Sequence, residues 1–135
     1  MANALYDKGR EAFLGGDGDW DAQTIKAVLI DEADDTIDLA NDDFLDDRAA
    51  PARVATSGAF TTKTKTAGVA DADDVTLATV SGDQFESVDI YEDSGAEGTS
   101  NLFANIDTAT GLPCTPNGGN ITLAWDAGAN KIFKL

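Results

Sequence analysis

Short segments of alternating apolar and polar residues, closely spaced from residue 53 onward, constrain the fold of this chain more than any other sequence feature. Period-two alternation is typical of strands with one buried face, and the clusters of Gly, Ser, Asn and Asp between the segments predict tight turns. With no long helical pattern between them, the segments favour a mainly β, single-domain β-sandwich or small jelly-roll-like barrel. The predicted strands are residues 53–56, 61–66, 74–80, 86–91, 102–107, 121–125 and 131–133.

The same alternation predicts which side chains enter the core. Residues 24–31 are apolar on both faces near their end, which is typical of a central strand that is covered on both sides. Residues 61–66 alternate Thr and Lys, so neither face is apolar and we expect an exposed edge there. The inward set of the later strands is Val75, Leu77, Val88, Ile90, Leu102, Ala104, Ile106, Ile121, Leu123 and Trp125.

A short helix is predicted within residues 1–15, with Asn3 as its cap and a glycine pair at its end. Leu5 and Phe13 share the apolar stripe of this helix. Gly9 lies inside it and is expected to weaken the helix by about 1 kcal/mol relative to alanine. A helix of three turns is not stable alone, so its stripe must cover a sheet or a neighbouring subunit.

The acidic stretch that follows is harder to assign from pattern. Residues 36–40 are predicted as a short strand, and Asn41 as the cap of a helical turn over 42–47. Asp38 and Asp89 each stand between two apolar residues, which predicts that both carboxylates point outward from strands.

Charge is distributed unevenly along the 135 residues, which carry 25 acids, 9 bases and a formal net charge of −16. Residues 17–47 hold 12 acids and one base, and residues 71–126 hold 11 acids and no base. Between them, Arg48, Arg53, Lys63 and Lys65 occur without an acid, and residues 131–135 add two lysines. This pattern favours self-association or docking on an acidic partner. The alternative is that the lysines protect an exposed edge strand from pairing.

Composition excludes several classes of function. The chain has no histidine, so it has no Ser-His-Asp triad, no Cys-His dyad and no His-ligated metal. A single cysteine, Cys114, excludes an internal disulfide and a four-cysteine zinc site. The acidic balance disfavours nucleic acid as a partner. The longest apolar run is too short to span a membrane and the start lacks a signal-peptide pattern, so we expect synthesis in the cytoplasm.

Two ligand-binding alternatives remain open. Asp17, Asp19 and Asp21 match the first three ligand positions of an EF-hand, but Ala22 and Val28 replace the turn glycine and the bidentate glutamate. A calcium site of another geometry is therefore an alternative to a solvated turn, and we predict no cofactor and no metal. The aromatic candidates for binding a glycan are Trp20, Tyr91 and Trp125, of which the two tryptophans are better explained as core residues.

Several blocks of the sequence resemble, in order and spacing, a family of small structural proteins encoded near the head and tail genes of tailed bacteriophages. The blocks are MANALYDKGREAFL at 1–14, FLDD at 44–47, VATSG at 54–58, DTATGLP at 107–113, TPNGG at 115–119, and WD to IFKL within 125–135. The resemblance covers nearly the whole chain. Cys114 departs from it, since the family has an apolar Val-like residue there, and we expect Cys114 to pack as a small hydrophobe.

The resemblance implies a virion structural protein that decorates and cements the outer capsid surface by binding the major capsid protein without catalysis. It also implies a homotrimer. Together with the segregated charge and the apolar ends, it suggests a set of partner-binding residues, with neither nucleic acid nor membrane as a partner. These residues are Arg48, Arg53, Lys63, Lys65, Leu5, Phe13, Phe133 and Leu135.

Two further functions are weighed against this one. A tail, baseplate or fibre-associated module, with or without glycan binding, fits an acidic β-sandwich equally well. A glycosidase would need two carboxyl groups about 5–9.5 Å apart, one of them in an apolar setting that raises its pKa. Most acids here lie in turn clusters where they stay solvated, so we do not expect an enzyme.

Overall fold

Nine strands, one α-helix and four short 3₁₀ helices make up the regular structure of residues 3–135, the part of the chain that the computed structural model describes. The predicted mainly β class is confirmed, with a small sandwich-like arrangement of antiparallel sheets. The elements are β1 (Ala4–Leu5), α1 (Asp7–Gly15), β2 (Ile25–Ile30), β3 (Arg53–Thr56), β4 (Val69–Ala70), β5 (Val75–Leu77), β6 (Ser87–Glu92), β7 (Leu102–Ile106), β8 (Ile121–Leu123) and β9 (Phe133–Lys134).

Five strands form the main sheet, in the order β1-β7-β6-β2-β3 and all antiparallel. The ladder between β2 and β6 runs from Ile25 opposite Glu92 to Ile30 opposite Ser87. Strand β2 is therefore an internal strand, between β6 and β3, and five of its six residues are buried. The prediction of a central strand covered on both faces is confirmed.

A second layer covers one face of the main sheet. It consists of two ribbons, β4 with β9 and β5 with β8, together with Trp20 and Phe60. The side chains of Ala27, Leu29 and Ile90 from the sheet pack against this layer. This apolar contact between two layers of strands forms the larger of the two hydrophobic clusters and explains the sandwich-like shape.

The opposite face of the main sheet is covered by the irregular segment 31–52, so the strand predicted at 36–40 is wrong. The Asp38 carboxylate accepts hydrogen bonds from the main chain of Ala40 and from both amide groups of Asn41. Such local bonds compete with strand and helix formation. Asn41 does not cap a helix, and the predicted helical turn is limited to a 3₁₀ turn at Leu45–Asp47.

A bulge between β6 and β7 corrects one residue of the predicted inward set. The register shifts between Ile90 and Tyr91, so Ala104 faces the second layer while Leu102 packs with the segment 31–52. An added residue in one strand reverses the faces of the side chains beyond it. Simple alternation along residues 102–106 could not reveal this.

The N-terminal helix begins later than predicted. Residues 4–5 form β1, and Leu5 pairs with Ala104 in the sheet instead of lying on a helical stripe. Asn3 is not the cap, because its side chain bonds the main chain of Asp107 and Thr108. The predicted end is confirmed: Gly16 adopts a left-handed conformation with φ of 85° and closes α1.

Candidate interaction surface

Four of the nine basic residues lie on two hydrogen-bonded segments at the ribbon formed by β4 and β9. We define the lysine surface as residues 61–71 and 131–135, which carry Lys63, Lys65, Lys131 and Lys134 but only one acid, Asp71. The pairing of β4 with β9, extended by the Leu135 N–H donating to the Gly68 carbonyl, joins the two segments. Both groups of lysines are evident in the sequence, but only the pairing of β4 with β9 joins the segments that carry them.

The lysines of this surface make only weak local contacts. The Lys65 ammonium lies 2.5 Å from the Asp21 carboxylate, with the two side chains 70% and 43% exposed, and this bond raises the pKa of Lys65. Lys63 donates to the main-chain carbonyl of Gln23, and Lys131 lies 3.9 Å from Asp71. Exposed ion pairs like those of Lys65 and Lys131 stabilise a fold by at most about 1 kcal/mol, so these two lysines can exchange their partners for others.

Arg53 lies elsewhere, on the edge strand β3. Its guanidinium holds the Glu97 carboxylate through two bonds of 2.6 and 3.3 Å, and its side chain is only 18% exposed. The Arg53 charge lowers the pKa of Glu97. Arg53 therefore joins β3 to the turn at Glu97–Thr99 and is not part of the lysine surface.

The prediction that Arg48 faces a partner is wrong, because its side chain is completely buried. It lies on the second face of the main sheet among three carboxylates. The Nε atom is 3.6 Å from Asp89 and Nη1 is 3.6 Å from Asp35, while Nη2 contacts Asp42. Nη1 also donates to the Thr36 carbonyl at 3.3 Å. Arg48 therefore joins the acidic segment 31–52 to the central strand β6.

Asp89 is also buried, so the prediction of an outward carboxylate is wrong, although Asp38 is exposed as expected. One Asp89 oxygen accepts a 2.7 Å bond from the Tyr6 hydroxyl and a 2.9 Å bond from the Asn105 amide. Asn105 also donates to Ser87. These four residues and Arg48 form a polar cluster inside an otherwise apolar layer, which simple alternation does not predict.

Burial raises the pKa of Asp89 to about 6, although Asn105, Tyr6 and Arg48 all act in the opposite direction. The native carboxyl thus binds a proton at pH values where the unfolded one, with a pKa near 3.9, is ionised. The contribution of this group to stability is greatest below about pH 4 and is lost as the pH rises through 6.

The pH dependence that Asp89 causes can be measured as the difference in the free energy of unfolding between wild type and the variant Asp89→Asn. Asp89→Asn cannot ionise, so its free energy of unfolding relative to wild type should rise by about 2–3 kcal/mol between pH 4 and pH 7. Urea unfolding followed by circular dichroism at several pH values measures this. A difference that is independent of pH would contradict the assigned shift.

The predicted apolar contact residues are mostly core residues. Leu5 and Phe133 are buried, and the ring of Phe13 packs 4.5 Å from Phe103 and 6.0 Å from Phe133, measured between ring centres. Leu135 is 59% exposed and remains available. Leu14 ends the apolar N-terminal segment that the sequence suggested for contact with a neighbouring subunit, and at 89% exposure it is the most exposed large apolar residue of the described chain.

The structure bears on the glycan and calcium alternatives as well. Trp20 and Tyr91 are buried, and Trp125 is partly buried, with its indole N–H bonded to the Asp73 carbonyl. Asp19 accepts bonds from the main chain of its own loop, and Asp21 faces Lys65. Within residues 3–135 the carboxylates close enough to share an ion are a different set, Asp31, Asp34 and Asp83.

Two adjoining grooves are lined by residues of both the main sheet and the second layer. The first, of about 700 Å³, has Val88 and Ile106 of the sheet in its lining and is bounded by β8 and residues 108–112. The second, of about 450 Å³, lies between β1 and residues 130–134. Ile106 and Lys131 line both grooves, so the two grooves are neighbours. Cys114 packs beside the first groove as a small hydrophobe, as predicted.

The chain is thus a small, mainly β protein of net charge −16, with four lysines on two segments joined at the ribbon of β4 and β9. Within residues 3–135, no helix combines the length and the apolar character that crossing a bilayer requires. No model of a known protein family matches the sequence, and a search of curated proteins finds no similar one.

Proposed function

We propose that this protein is a non-catalytic structural protein that decorates the outer surface of a bacteriophage capsid and stabilises the assembled shell. The observation that carries the proposal is the lysine surface, which presents four bases and one acid on a chain with a net charge of −16. Acidic groups of the major capsid protein would compete with the exposed local partners of Lys65 and Lys131 for these lysines. The resemblance of the sequence blocks to small phage structural proteins supplies the identity of the partner.

The stabilising mechanism needs no chemistry. A protein that binds the assembled shell but not free capsid subunits shifts the assembly equilibrium by its binding free energy. Homotrimers belong to the proposal, because three lysine surfaces on one particle would bind with higher avidity than one. Asp89 has the raised pKa of a general acid, but it is fully buried and lines neither groove, so it does not support an enzymatic alternative.

Charge reversal of the lysine surface tests the proposal. Lys63→Glu combined with Lys65→Glu should weaken binding to purified expanded capsids at least tenfold at low salt, because attraction to acidic groups becomes repulsion. Co-sedimentation of the labelled protein with capsids measures the affinity. The expected loss should shrink as the salt concentration increases.

A matched control distinguishes the effect of the lysine surface from the effect of a changed net charge. Lys8, like Lys65, is an exposed lysine paired with one exposed carboxylate, but it lies on α1 outside the lysine surface. Lys8→Glu should bind capsids within twofold of wild type, whereas Lys65→Glu alone should bind measurably less. Equal affinity for wild type and the double variant would refute the docking role of these lysines.

The position on the virion can be tested separately by counting copies. Quantitative mass spectrometry of purified virions should find hundreds of copies per particle if the protein covers the head. A few copies or a dozen would instead assign it to the tail, baseplate or fibres.

A further inference from the structure

Within residues 3–135, strand β8 pairs with β5 alone and so has one unpaired edge. The main-chain N–H of Trp125 bonds the Asp74 carboxylate on the β5 side. In an antiparallel pair, alternate residues direct their main-chain groups to opposite sides. Thr122 and Ala124 therefore direct N–H and C=O away from β5, and no strand among residues 3–135 pairs with that side.

The free edge of β8 borders the larger groove. Thr122 and Ala124 are exposed and line it, and residues 108–112 form the opposite wall. Val88, Ile106 and Leu123 contribute apolar side chains to the lining. The unpaired main-chain groups of Thr122, and of Ala124 just beyond the end of β8, stand beside a groove with apolar lining. This arrangement can recognise an added strand, with main-chain bonds for affinity and alternate side chains in the groove.

The neighbouring groove adds a charge preference at one end. Its lining contains three bases, Arg10, Lys131 and Lys134, and a single acid, Asp126. Because Lys131 lines both grooves, a segment lying along β8 would have one end near these bases. Acidic residues at that end are the complementary chemistry.

We infer that the free edge of β8 and its groove bind an extended segment of another protein, with apolar residues at alternate positions and acidic residues at one end. This site goes beyond the proposed function. It can be tested on the isolated protein, so a failure to bind the segment is distinguishable from a failure to bind capsids.

The probe is a fluorescein-labelled peptide with the sequence Ser-Val-Thr-Val-Thr-Val-Glu-Glu, titrated with the full chain by fluorescence anisotropy at low salt. It should bind at least tenfold more tightly than a peptide ending in Lys-Lys. It should also bind at least tenfold more tightly than a peptide with proline in place of the Thr at position 5, because proline has no N–H to donate to the edge. Equal affinity for the three peptides would overturn the inference.

Proline substitutions in the protein provide an edge-specific test. Ala124→Pro removes a donor from the free edge without affecting β5, and it should weaken peptide binding at least tenfold. Thr76→Pro is the matched control, because Thr76 lies opposite Thr122 and directs its N–H to the other side of the ribbon. It should bind within twofold of wild type, and circular dichroism verifies that both variants fold.

Charge reversal tests the acidic end independently of the edge. Lys131→Glu with Lys134→Glu should abolish the preference for the Glu-ended over the Lys-ended peptide. Sedimentation velocity tests the competing occupant. A wild-type oligomer that Ala124→Pro converts to monomers, with no peptide binding, would assign the edge to a second copy and overturn the inference.

Discussion

Replacing Arg48 with methionine should lower the free energy of unfolding by about 3–5 kcal/mol, the cost of removing one partner of a buried ion pair. Methionine fills much of the same space but leaves the buried Asp89 carboxylate without its cation. The anchoring of Asp35 and Asp42 to the sheet is also lost. Urea unfolding at pH 7, followed by circular dichroism, measures the change.

Two further variants distinguish the cost of leaving a buried charge unpaired from the cost of losing any arginine side chain. Arg53→Met breaks an ion pair whose Glu97 side chain is 56% exposed, so it should cost about 1 kcal/mol. Adding Asp89→Asn to Arg48→Met should recover part of the lost stability, because the uncompensated charge is removed. If Arg48→Met costs no more than Arg53→Met, the buried cluster does not stabilise the fold as described.

Gly9→Ala in α1 should destabilise the protein by about 1–3 kcal/mol, although alanine is the better helix former. A Cβ atom built on Gly9 would lie 2.6 Å from the Leu102 carbonyl oxygen and 3.0 Å from the Cα atom of Phe103. Both are main-chain atoms of β7, so no side-chain rotation relieves the overlap. Thermal or urea unfolding gives the change, and Gly9→Val should cost more.

Gly15 provides a control in the same helix. A Cβ atom there would meet only the Asp17 carboxylate, at 3.6 Å, and would lie in ordinary contact. Gly15→Ala should therefore leave the stability within about 0.5 kcal/mol of wild type or raise it slightly. A Gly9→Ala variant that is more stable than wild type would show that α1 does not require this close approach to β7.

Gly9→Ala and Gly15→Ala show which part of the fold could not be predicted from the sequence. Period-two alternation and turn residues predicted six of the strands from Arg53–Thr56 onward, because a half-buried strand imposes that pattern locally. The strand predicted at 61–66 is wrong, since that segment forms only a single bridge between Thr64 and Asp71, and β4 was not predicted. Gly9 was interpreted as a weakness of the helix, since helix propensity is also local. Its role is to let α1 approach β7, which depends on residues more than 90 positions away.

The candidate site shows the same division. The sequence showed Lys63 and Lys65 in one basic segment and Lys131 and Lys134 in another, and the pairing of β4 with β9 joins the two. The structure also removes Arg48 from the basic strip and places it beneath the acidic segment. A sequence reports the charge of a side chain but not the direction in which an irregular segment turns it.

The sequence alone determined that the chain is acidic, mainly β and without histidine chemistry, because these properties depend on composition and on short-range patterns. Only the tertiary structure decided that Arg48 and Asp89 are buried together, that strand pairing joins the two segments carrying four lysines, and that no strand within residues 3–135 pairs with the second edge of β8. Each of these depends on strand order and register. Those are set by packing between distant segments, which local pattern does not encode.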